Sequence, residues 1–353
     1  MANMAQAIRM ALHYGEENLD VKHIFGEDVG APLGGVMTKT QGLKTAWNSP
    51  LDERGIVGTA MGLAQTGMRS VAEIQFSDYI FNTFDLLKIA GNSCWSSRGQ
   101  FPMPMVLMAI TGGGIHGSIY HSHSIDGWVT RLAGWKIVQP STPIDAYGLM
   151  LSAIEDPNPV MFLPPKSLLR VKGSEKIAGE PEDERELRKL IDKPIKGDAT
   201  NWQPTWPDIE YTPIPLGEAK LLREGSDAVV ISYGRHVLMA KNVADKLSKE
   251  GFGEVQVLDL RTLYPYDWAA ISQAVRQSGR VLIVTEETEI TQFGEHLLRR
   301  IVDEHFYSLT VRPRVLAGAH VPGIGLAQSL EKASIPQEID VEKELKALLS
   351  EIA

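Results

Sequence analysis

The residues best suited to chemistry are a glutamate and a tyrosine in the amino-terminal third of the chain. Glu53 directly precedes a predicted helix with one face almost bare of side chains, formed by Gly55, Gly58 and Gly62. Tyr79 follows the predicted strand 71–76, on the side where open α/β sheets bind ligands. Position alone also allows simpler interpretations: Glu53 can be an acid in the first helical turn that the helix dipole stabilises, and Tyr79 can be a packing residue.

A second candidate is a glycine-rich segment with three histidines, directly after the predicted strand 104–110. His116, His121 and His123 lie five and two residues apart with no matching acidic or cysteine partner, so the spacing disfavours zinc. Imidazoles at the end of a strand are instead suited to acid–base work near neutral pH. The three glycines at 112–114 predict either a mobile loop or the close approach of another backbone.

Alternating strand-like and helical runs must position these side chains, and they are typical of βα units on a mostly parallel sheet. In the first part of the chain the predicted strands are 23–25, 71–76, 104–110, 136–138 and 160–163, and the predicted helices are 55–66, 82–93 and 144–154. A second alternating unit has predicted strands 228–233, 255–260 and 281–285, and predicted helices 237–249, 268–277 and 295–305.

The pattern predicts an α/β fold with two domains, 1–180 and 216–353, joined by a proline-rich connection over 181–215. The connection contains Trp202, Trp206 and Tyr211, which make it too apolar for a free linker. We therefore expect it to be packed on a protein surface.

Composition narrows the class of protein. The 353 residues include 43% apolar and 22% charged side chains, and no apolar run approaches a membrane span. The formal charge of −9 disfavours nucleic acid and anionic membranes as partners and suits a basic protein. The single cysteine, Cys94, and a start unlike a signal peptide predict a cytoplasmic location.

Several blocks stand in order along nearly the whole chain: Gly26-Glu27-Asp28-Val29, residues 49–58, residues 72–79, residues 164–170 and Asp259-Leu260-Arg261-Thr262-Leu263. In this order they closely resemble the E1 β subunits of thiamine-diphosphate-dependent 2-oxo acid dehydrogenases. The resemblance implies a parallel-sheet domain of the transketolase pyrimidine-binding type, followed by a smaller α/β domain of the transketolase C-terminal type.

The same resemblance implies a thiamine diphosphate site. Glu53 would hydrogen-bond N1′ of the aminopyrimidine ring, where a carboxylate suits a protonated nitrogen. Leu51 and Tyr79 would lie against that ring, with Gln75 near the substrate. His121 would lie beside the reacting carbon as a proton donor or hydrogen-bond donor, whereas the roles of His116 and His123 stay open.

The family's Gly-Asp-Gly…Asn signature for magnesium and diphosphate is missing; the nearest string is Gly197-Asp198-Ala199. The resemblance therefore implies that an α subunit holds Mg²⁺ and the diphosphate, in an α₂β₂ heterotetramer with the cofactor shared between α and β. The second domain would contact the E2 lipoyl acyltransferase.

Relatives in this family also hold a structural potassium ion, near a block resembling residues 152–158 of this chain. Carried over, the ligands would be Leu107, Ala153, Asp156 and Asn158, an oxygen-only set that suits a hard cation. A plain helix end is an equally good interpretation of this block.

The resemblance favours a 2-oxo acid dehydrogenase subunit that decarboxylates a branched-chain acid such as 2-oxoisovalerate and passes the acyl group to lipoyl-E2. Pyruvate and acetoin dehydrogenases are the alternatives within the family. Met108-Ala109 and Pro164-Pro165-Lys166 depart from its usual pattern and put substrate identity and the contact with the α subunit in doubt. A transketolase-like enzyme and a non-catalytic scaffold are the alternatives of other classes.

Overall fold

The structure is a computed structural model that describes residues 1–194 and 202–352. Its helices are α1 Met4–Asn18, α2 Glu53–Gln65, α3 Phe84–Ser96, α4 Asp126–Val129, α5 Pro143–Glu155, α6 Glu184–Ile191, α7 Arg235–Lys249, α8 Trp268–Ser278, α9 Phe293–His305, α10 Gln328–Ser334 and α11 Glu338–Ser350. Its strands are β1 Val21–Gly26, β2 Ala46–Asn48, β3 Arg69–Phe76, β4 Met105–Ile110, β5 Lys136–Val138, β6 Val160–Phe162, β7 Lys220–Arg223, β8 Ala228–Ser232, β9 Val255–Asp259, β10 Thr262–Tyr264, β11 Val281–Thr288 and β12 Arg314–Gly318. Among the described residues, no helix combines the length and apolar character needed to cross a bilayer.

The first of two compact units comprises Met1–Ile110 and Leu132–Leu216. Its strands run in the order β5-β6-β4-β3-β1-β2, and each neighbouring pair is parallel. Every residue of β4 is buried, as expected for a central strand covered on both faces. This sheet agrees with the parallel α/β fold predicted for the first domain.

The second unit comprises Thr111–Arg131 and Gly217–Ala353, so the glycine-rich segment with the three histidines belongs to it. Its sheet has the order β12-β11-β8-β9-β7, parallel except for β7, which is antiparallel to β9 at the edge. One side of this sheet is covered by α7 and α11, which contribute buried residues such as Val243 and Leu345 to a single apolar cluster.

Almost all of the predicted elements are present with ends shifted by three residues or fewer, because long apolar runs and helical spacing dominate them. The helices α1, α4 and α6, the short strands β2, β7 and β10, and the elements after residue 310 were not among the predicted elements. The predicted domain limits at 180 and 215 stay a prediction.

The proline-rich connection packs on the first unit. The Trp206 ring stacks on His13 of α1 with centroids 4.1 Å apart, and Tyr211 stacks on Tyr14 at 5.6 Å. The main chain of Ile214 donates a hydrogen bond to the Gly148 carbonyl of α5, 3.0 Å away. The expectation that this stretch lies on a protein surface is confirmed. The Gly197-Asp198-Ala199 string falls outside the described residues.

Candidate functional site

Three neighbouring strands of the first unit bring the predicted cofactor residues to one edge. In the order β3-β1-β2 the strands are parallel, so their carboxyl ends meet at the same edge of the sheet. The segment after β2 leads to Leu51 and Glu53, the segment after β1 begins with Glu27, and β3 ends beside Gln75 and Tyr79. Residues far apart in sequence therefore converge because of strand order.

Glu53 is the first residue of α2, where the orphan backbone N–H groups favour a negative charge. The Asn82 side-chain amide donates a hydrogen bond to Glu53 Oε2 over 3.2 Å. Arg54 holds Asn82 in place by donating to its carbonyl oxygen at 2.9 Å, and it also forms a two-point ion pair with Asp85 of α3. The carboxylate of Glu53 is thus oriented by a neighbour that is itself anchored.

A second carboxyl group lies next to the first. Burial, together with the nearby charges of Glu53 and Asp28, raises the pKa of Glu27 above its usual range. Gln75 donates from its amide to Asp28 Oδ2 over 3.0 Å, which fixes Gln75 at this edge. Among the described residues, none donates a hydrogen bond to the buried Glu27 Oε1. A buried acceptor of this kind indicates a place for a polar ligand group.

The aromatic residue of the site lies in a 3₁₀ helix directly after β3, Ser77–Thr83. The Tyr79 ring is half-buried and meets Phe76 edge to face, with centroids 5.8 Å apart. Burial and then the charges of Asp78, Glu53 and Glu27 raise the pKa of its phenol. Leu51 leaves 83% of its surface exposed although it is apolar. Together these residues can hold a flat heteroaromatic ring whose nitrogen atoms need an anionic acceptor.

The predicted catalytic histidine lies in the second unit, in the segment after β4. His121 Nδ1 is 3.0 Å from the carbonyl oxygen of Gly117, which can only accept, so Nδ1 carries the proton of the neutral ring. Nε2 is then the basic nitrogen. An imidazole fixed in this tautomer can accept a proton at Nε2 and return it.

The close approach of side chains accounts for two glycines of this segment. A Cβ at Gly112 would lie 2.8 Å from the Glu286 carboxylate oxygens, and one at Gly113 would lie 2.9 Å from Glu331 Oε1. Other groups do approach these glycines closely, but they are side-chain carboxylates and not the second backbone that the sequence predicted. His116 and His123 lie in the same segment.

The four predicted potassium ligands lie on β4 and around the end of α5. Leu107 is opposite Met161 in the sheet, Ala153 is in the last helical turn, and Asp156 is the residue that ends the helix. Asp156 Oδ1 accepts from the main chain and side chain of Asn158 at 2.9 and 3.0 Å, and its other oxygen pairs with the Lys136 ammonium. The carbonyl groups in the last turn of a helix have no intrahelical partner and can therefore bind a cation. The Asp156 carboxylate, in contrast, already has the Lys136 ammonium as its cationic partner.

Two domain families match the sequence. The family described as "Transketolase, pyrimidine binding domain" matches residues 1–172, and "Transketolase, C-terminal domain" matches residues 217–341. A 2-oxoisovalerate dehydrogenase subunit beta of Bacillus subtilis is 33% identical over 349 residues, which cover 97% of each chain. The chain belongs to the E1 β-subunit family of 2-oxo acid dehydrogenases.

Some relatives in this family are named as β subunits of pyruvate dehydrogenase, and others as β subunits of 2-oxoisovalerate dehydrogenase. A pyruvate dehydrogenase E1 component subunit beta of Acholeplasma laidlawii is 33% identical, with 88% of this chain and 87% of the relative covered. A mitochondrial 2-oxoisovalerate dehydrogenase subunit beta of Arabidopsis thaliana is 34% identical, covering 91% and 82%. The solved structure "Split gene transketolase, inactive beta4 tetramer" covers 99% of both chains with a TM-score of 0.70 and 18% identity, and so shows the shared fold alone.

Sequence reasoning missed several residues that the structure adds around the predicted ones. Asn82 binds Glu53 from 29 residues away, and Glu286 and Glu331 reach the histidine segment from 173 and 217 residues away. No local pattern links such partners. Of the residues that the structure adds to the site, only Glu27 and Asp28 could have been found from the sequence, since they lie in a block that resembles the family.

Proposed function

We propose that this chain is the β subunit of the E1 component of a branched-chain 2-oxo acid dehydrogenase, which is active only together with an α subunit. The reaction is decarboxylation of the 2-oxo acid on thiamine diphosphate, followed by acyl transfer to the lipoyl group of E2. The observation that carries the proposal is the match to a 2-oxoisovalerate dehydrogenase subunit beta over 97% of both chains.

When bound, thiamine diphosphate would supply the nucleophilic ring carbon and the electron sink that decarboxylation needs. The carboxylate of Glu53 would bind the aminopyrimidine nitrogen and hold a proton there, and Asn82 keeps that carboxylate oriented. Leu51 and Tyr79 would flank the ring, while Gln75 would face the substrate. His121 would exchange a proton with the substrate oxygen through its basic Nε2.

The residues present fit the cofactor. Glu53 supplies the anionic acceptor, and burial together with the charges of Glu53 and Asp28 raises the pKa of the neighbouring Glu27. The buried Glu27 Oε1 lacks a donor among the described residues, as expected where a ligand group must bind. The site therefore offers two neighbouring carboxyl groups to the polar atoms of a ligand.

An α subunit is the proposed holder of Mg²⁺ and the diphosphate. Two features of the first unit support a protein partner. At Gly58 and Gly62 of α2, apart from the adjacent backbone of the helix itself, no atom of the described residues lies within 4 Å of the Cβ position, so this bare face is open. On α3 and just after it, Trp95 and Phe101 leave 81% and 65% of their surface exposed. Apolar surface of this kind marks protein interfaces.

The substrate has a second candidate. Pyruvate dehydrogenase β subunits match at the same 33–34% identity as the 2-oxoisovalerate subunits, so pyruvate is the alternative acid, followed by acetoin. A transketolase-like enzyme shares the fold at 18% identity, and a scaffold without activity would not need an oriented Glu53. Binding of E2 through the second unit is part of the same proposal.

A potassium ion at Leu107, Ala153, Asp156 and Asn158 stays a proposal. The carbonyl groups in the last turn of α5, which have no intrahelical partner, support this site. The ion pair between Lys136 and Asp156 weakens it. The cytoplasmic location also stays a prediction, resting on the single cysteine.

The test is co-expression of the full chain with an α chain that carries the diphosphate signature. We expect a stable complex that decarboxylates 2-oxoisovalerate faster than pyruvate, and neither chain should act alone. Preference for pyruvate would favour the alternative acid. Turnover by this chain alone, or failure to form a complex with any such α chain, would contradict the proposal.

A further inference from the structure

The segment that carries His121 has a demanding backbone. Gly112 and Gly114 have φ of 81° and 97°, and two residues with side chains, His116 and Ser118, have φ of 59° and 63°. Left-handed backbone costs energy for residues with a Cβ, of order 1–3 kcal/mol each, and persists only when the surroundings impose it. Something outside the segment must therefore hold it.

The main support of this segment is Glu331 on α10. Its side chain is buried, with 2% of the residue exposed. Glu331 Oε1 accepts a hydrogen bond from the main-chain N–H of Gly114, and Oε2 accepts one from the N–H of His116 at 3.1 Å. The His116 imidazole also pairs with Oε2 through Nδ1. One carboxylate thus accepts from three donors of a short segment. Two of these donors belong to His116, a residue with left-handed backbone.

Glu286, at the carboxyl half of β11, supports the same segment from another side. It accepts from the N–H of Gly113 and lies 3.7 Å from the Arg235 guanidinium. Farther along the segment, Ile119 is covered by Gly323, where a Cβ would come within 2.4 Å of the isoleucine side chain. The contacts of Glu331 lie between these two and immediately precede the residues that lead to His121.

We propose that Glu331 is a positioning residue for His121, acting by clamping the backbone of the segment 112–118. This role rests on the proposed function, in which His121 exchanges protons during turnover. Hydrogen bonds to a buried carboxylate are stronger than neutral ones, and three of them resist relaxation of the strained residues. Without the clamp, the Gly117 carbonyl that fixes the His121 tautomer would move with the backbone.

The first measurement is amide hydrogen exchange on the full chain, which does not depend on activity. In Glu331→Gln, exchange at Gly114 and His116 should accelerate at least about tenfold, because the charge that strengthens both hydrogen bonds is gone. Glu338→Gln is the matched control, since Glu338 is exposed on α11 and accepts a hydrogen bond from the Asn242 side chain in a surface contact. Unchanged exchange in Glu331→Gln would overturn the clamp.

The second measurement uses the assembled enzyme and a double-mutant cycle with His121→Asn. Glu331→Gln should lower kcat about tenfold with little change in KM, and Glu331→Gln combined with His121→Asn should be no slower than His121→Asn alone. Glu331→Asp keeps the charge and serves if the glutamine variant assembles poorly; its kcat loss should also vanish in the His121→Asn background.

Losses that add in the double variant would overturn the positioning role, because they would mean that Glu331 acts on stability and not through His121. Normal turnover of His121→Asn would remove the proposed role of His121 and with it this inference. The exchange data would then show whether the clamp exists all the same, so the two failures are distinguishable.

Discussion

Carboxyl groups gather in both units of this chain, and they are used in opposite ways. In the first unit, Glu27 and Glu53 lie at the edge of the sheet, half-buried, with a buried oxygen of Glu27 that no described residue supplies with a donor. In the second unit, Glu286 and Glu331 are buried and accept hydrogen bonds from the chain's own main-chain N–H groups.

The difference shows what distinguishes a ligand site from a structural one. A carboxylate whose acceptors are filled by the backbone holds a loop, whereas one that keeps an acceptor vacant can receive a ligand. Burial by itself does not distinguish the two kinds of site, since it raises the pKa of Glu27 in the first unit and of Glu287 in the second. The hydrogen-bond partners of each carboxyl group make the difference, and four variants test it.

The largest effect is expected at Glu53, the carboxylate proposed to bind the cofactor ring. Glu53→Gln in the assembled enzyme should lower turnover by at least about a hundredfold, because a neutral amide cannot hold a proton on the ring nitrogen. Glu186→Gln is the control, an exposed glutamate on α6. The α subunit should still copurify, and steady-state kinetics measure the loss. Near-normal turnover would remove Glu53 from the chemistry.

A buried ion pair of the first unit tests the structural use of charge. Lys39 and Glu73 are both fully buried, with Nζ and Oε1 3.2 Å apart, and Lys39 also donates to the Val36 carbonyl. Lys39→Met should lower the free energy of unfolding by about 3–5 kcal/mol, since it leaves the Glu73 carboxylate without its partner. Denaturant unfolding of the full chain measures this loss.

Pairing that substitution with Glu73→Leu should restore much of the lost stability, because the buried charge disappears too. Lys22→Met, on an exposed lysine of β1, should change stability little. A double variant as unstable as the single one would mean that packing, rather than an uncompensated charge, causes the loss.

A smaller effect is expected at Asn82, the side chain that orients the proposed catalytic carboxylate of Glu53. Asn82→Ala should lower kcat about tenfold, the loss expected for one hydrogen bond to a charged group. Asn242→Ala removes a comparable amide on the surface of α7 and should leave kcat unchanged. If both variants behave alike, the Asn82 contact has no part in orienting Glu53.

The smallest effect concerns the pH dependence of stability in the second unit. Burial, and then the nearby Asp126 carboxyl, raise the pKa of Glu287 to about 9, while burial raises that of Asp126 to about 6. A carboxyl whose folded pKa is raised contributes stability that is complete below its unfolded value and is lost as pH rises through the folded value. The chain should therefore lose stability as pH rises from about 4, where the unfolded carboxyl groups ionise, to about 9, where the folded Glu287 does.

Glu287→Gln cannot ionise, so its melting temperature should fall less over the same pH interval, by a few degrees. Glu289→Gln, two residues farther along and exposed, should follow the unmodified chain. Equal pH profiles for all three proteins would show that Glu287 is already ionised in the fold.

Long apolar strands and periodic helices were predictable, because their pattern is local. Residues 228–232 and 255–259 are buried throughout and fall within one residue of the predicted strands. By contrast, α6 went unnoticed inside a charged run, where only Leu187 and Ile191 are buried. Leu187, Leu190 and Ile191 do stand at helical spacing, but the helix spans only eight residues, and its charged neighbours favoured the interpretation of a connection.

The amino-acid sequence was enough to predict the alternation of strands and helices, the family, and Glu53, Tyr79 and His121 as candidates, because each of these depends on short stretches taken in order. The distant groups that complete the sites become visible in the folded chain alone. Asn82 reaches Glu53, Glu331 reaches the histidine segment, and Glu27 is left with an acceptor to fill. Parallel strands separated by helices bring together side chains that no sequence window contains, and hydrogen bonding is decided by that proximity.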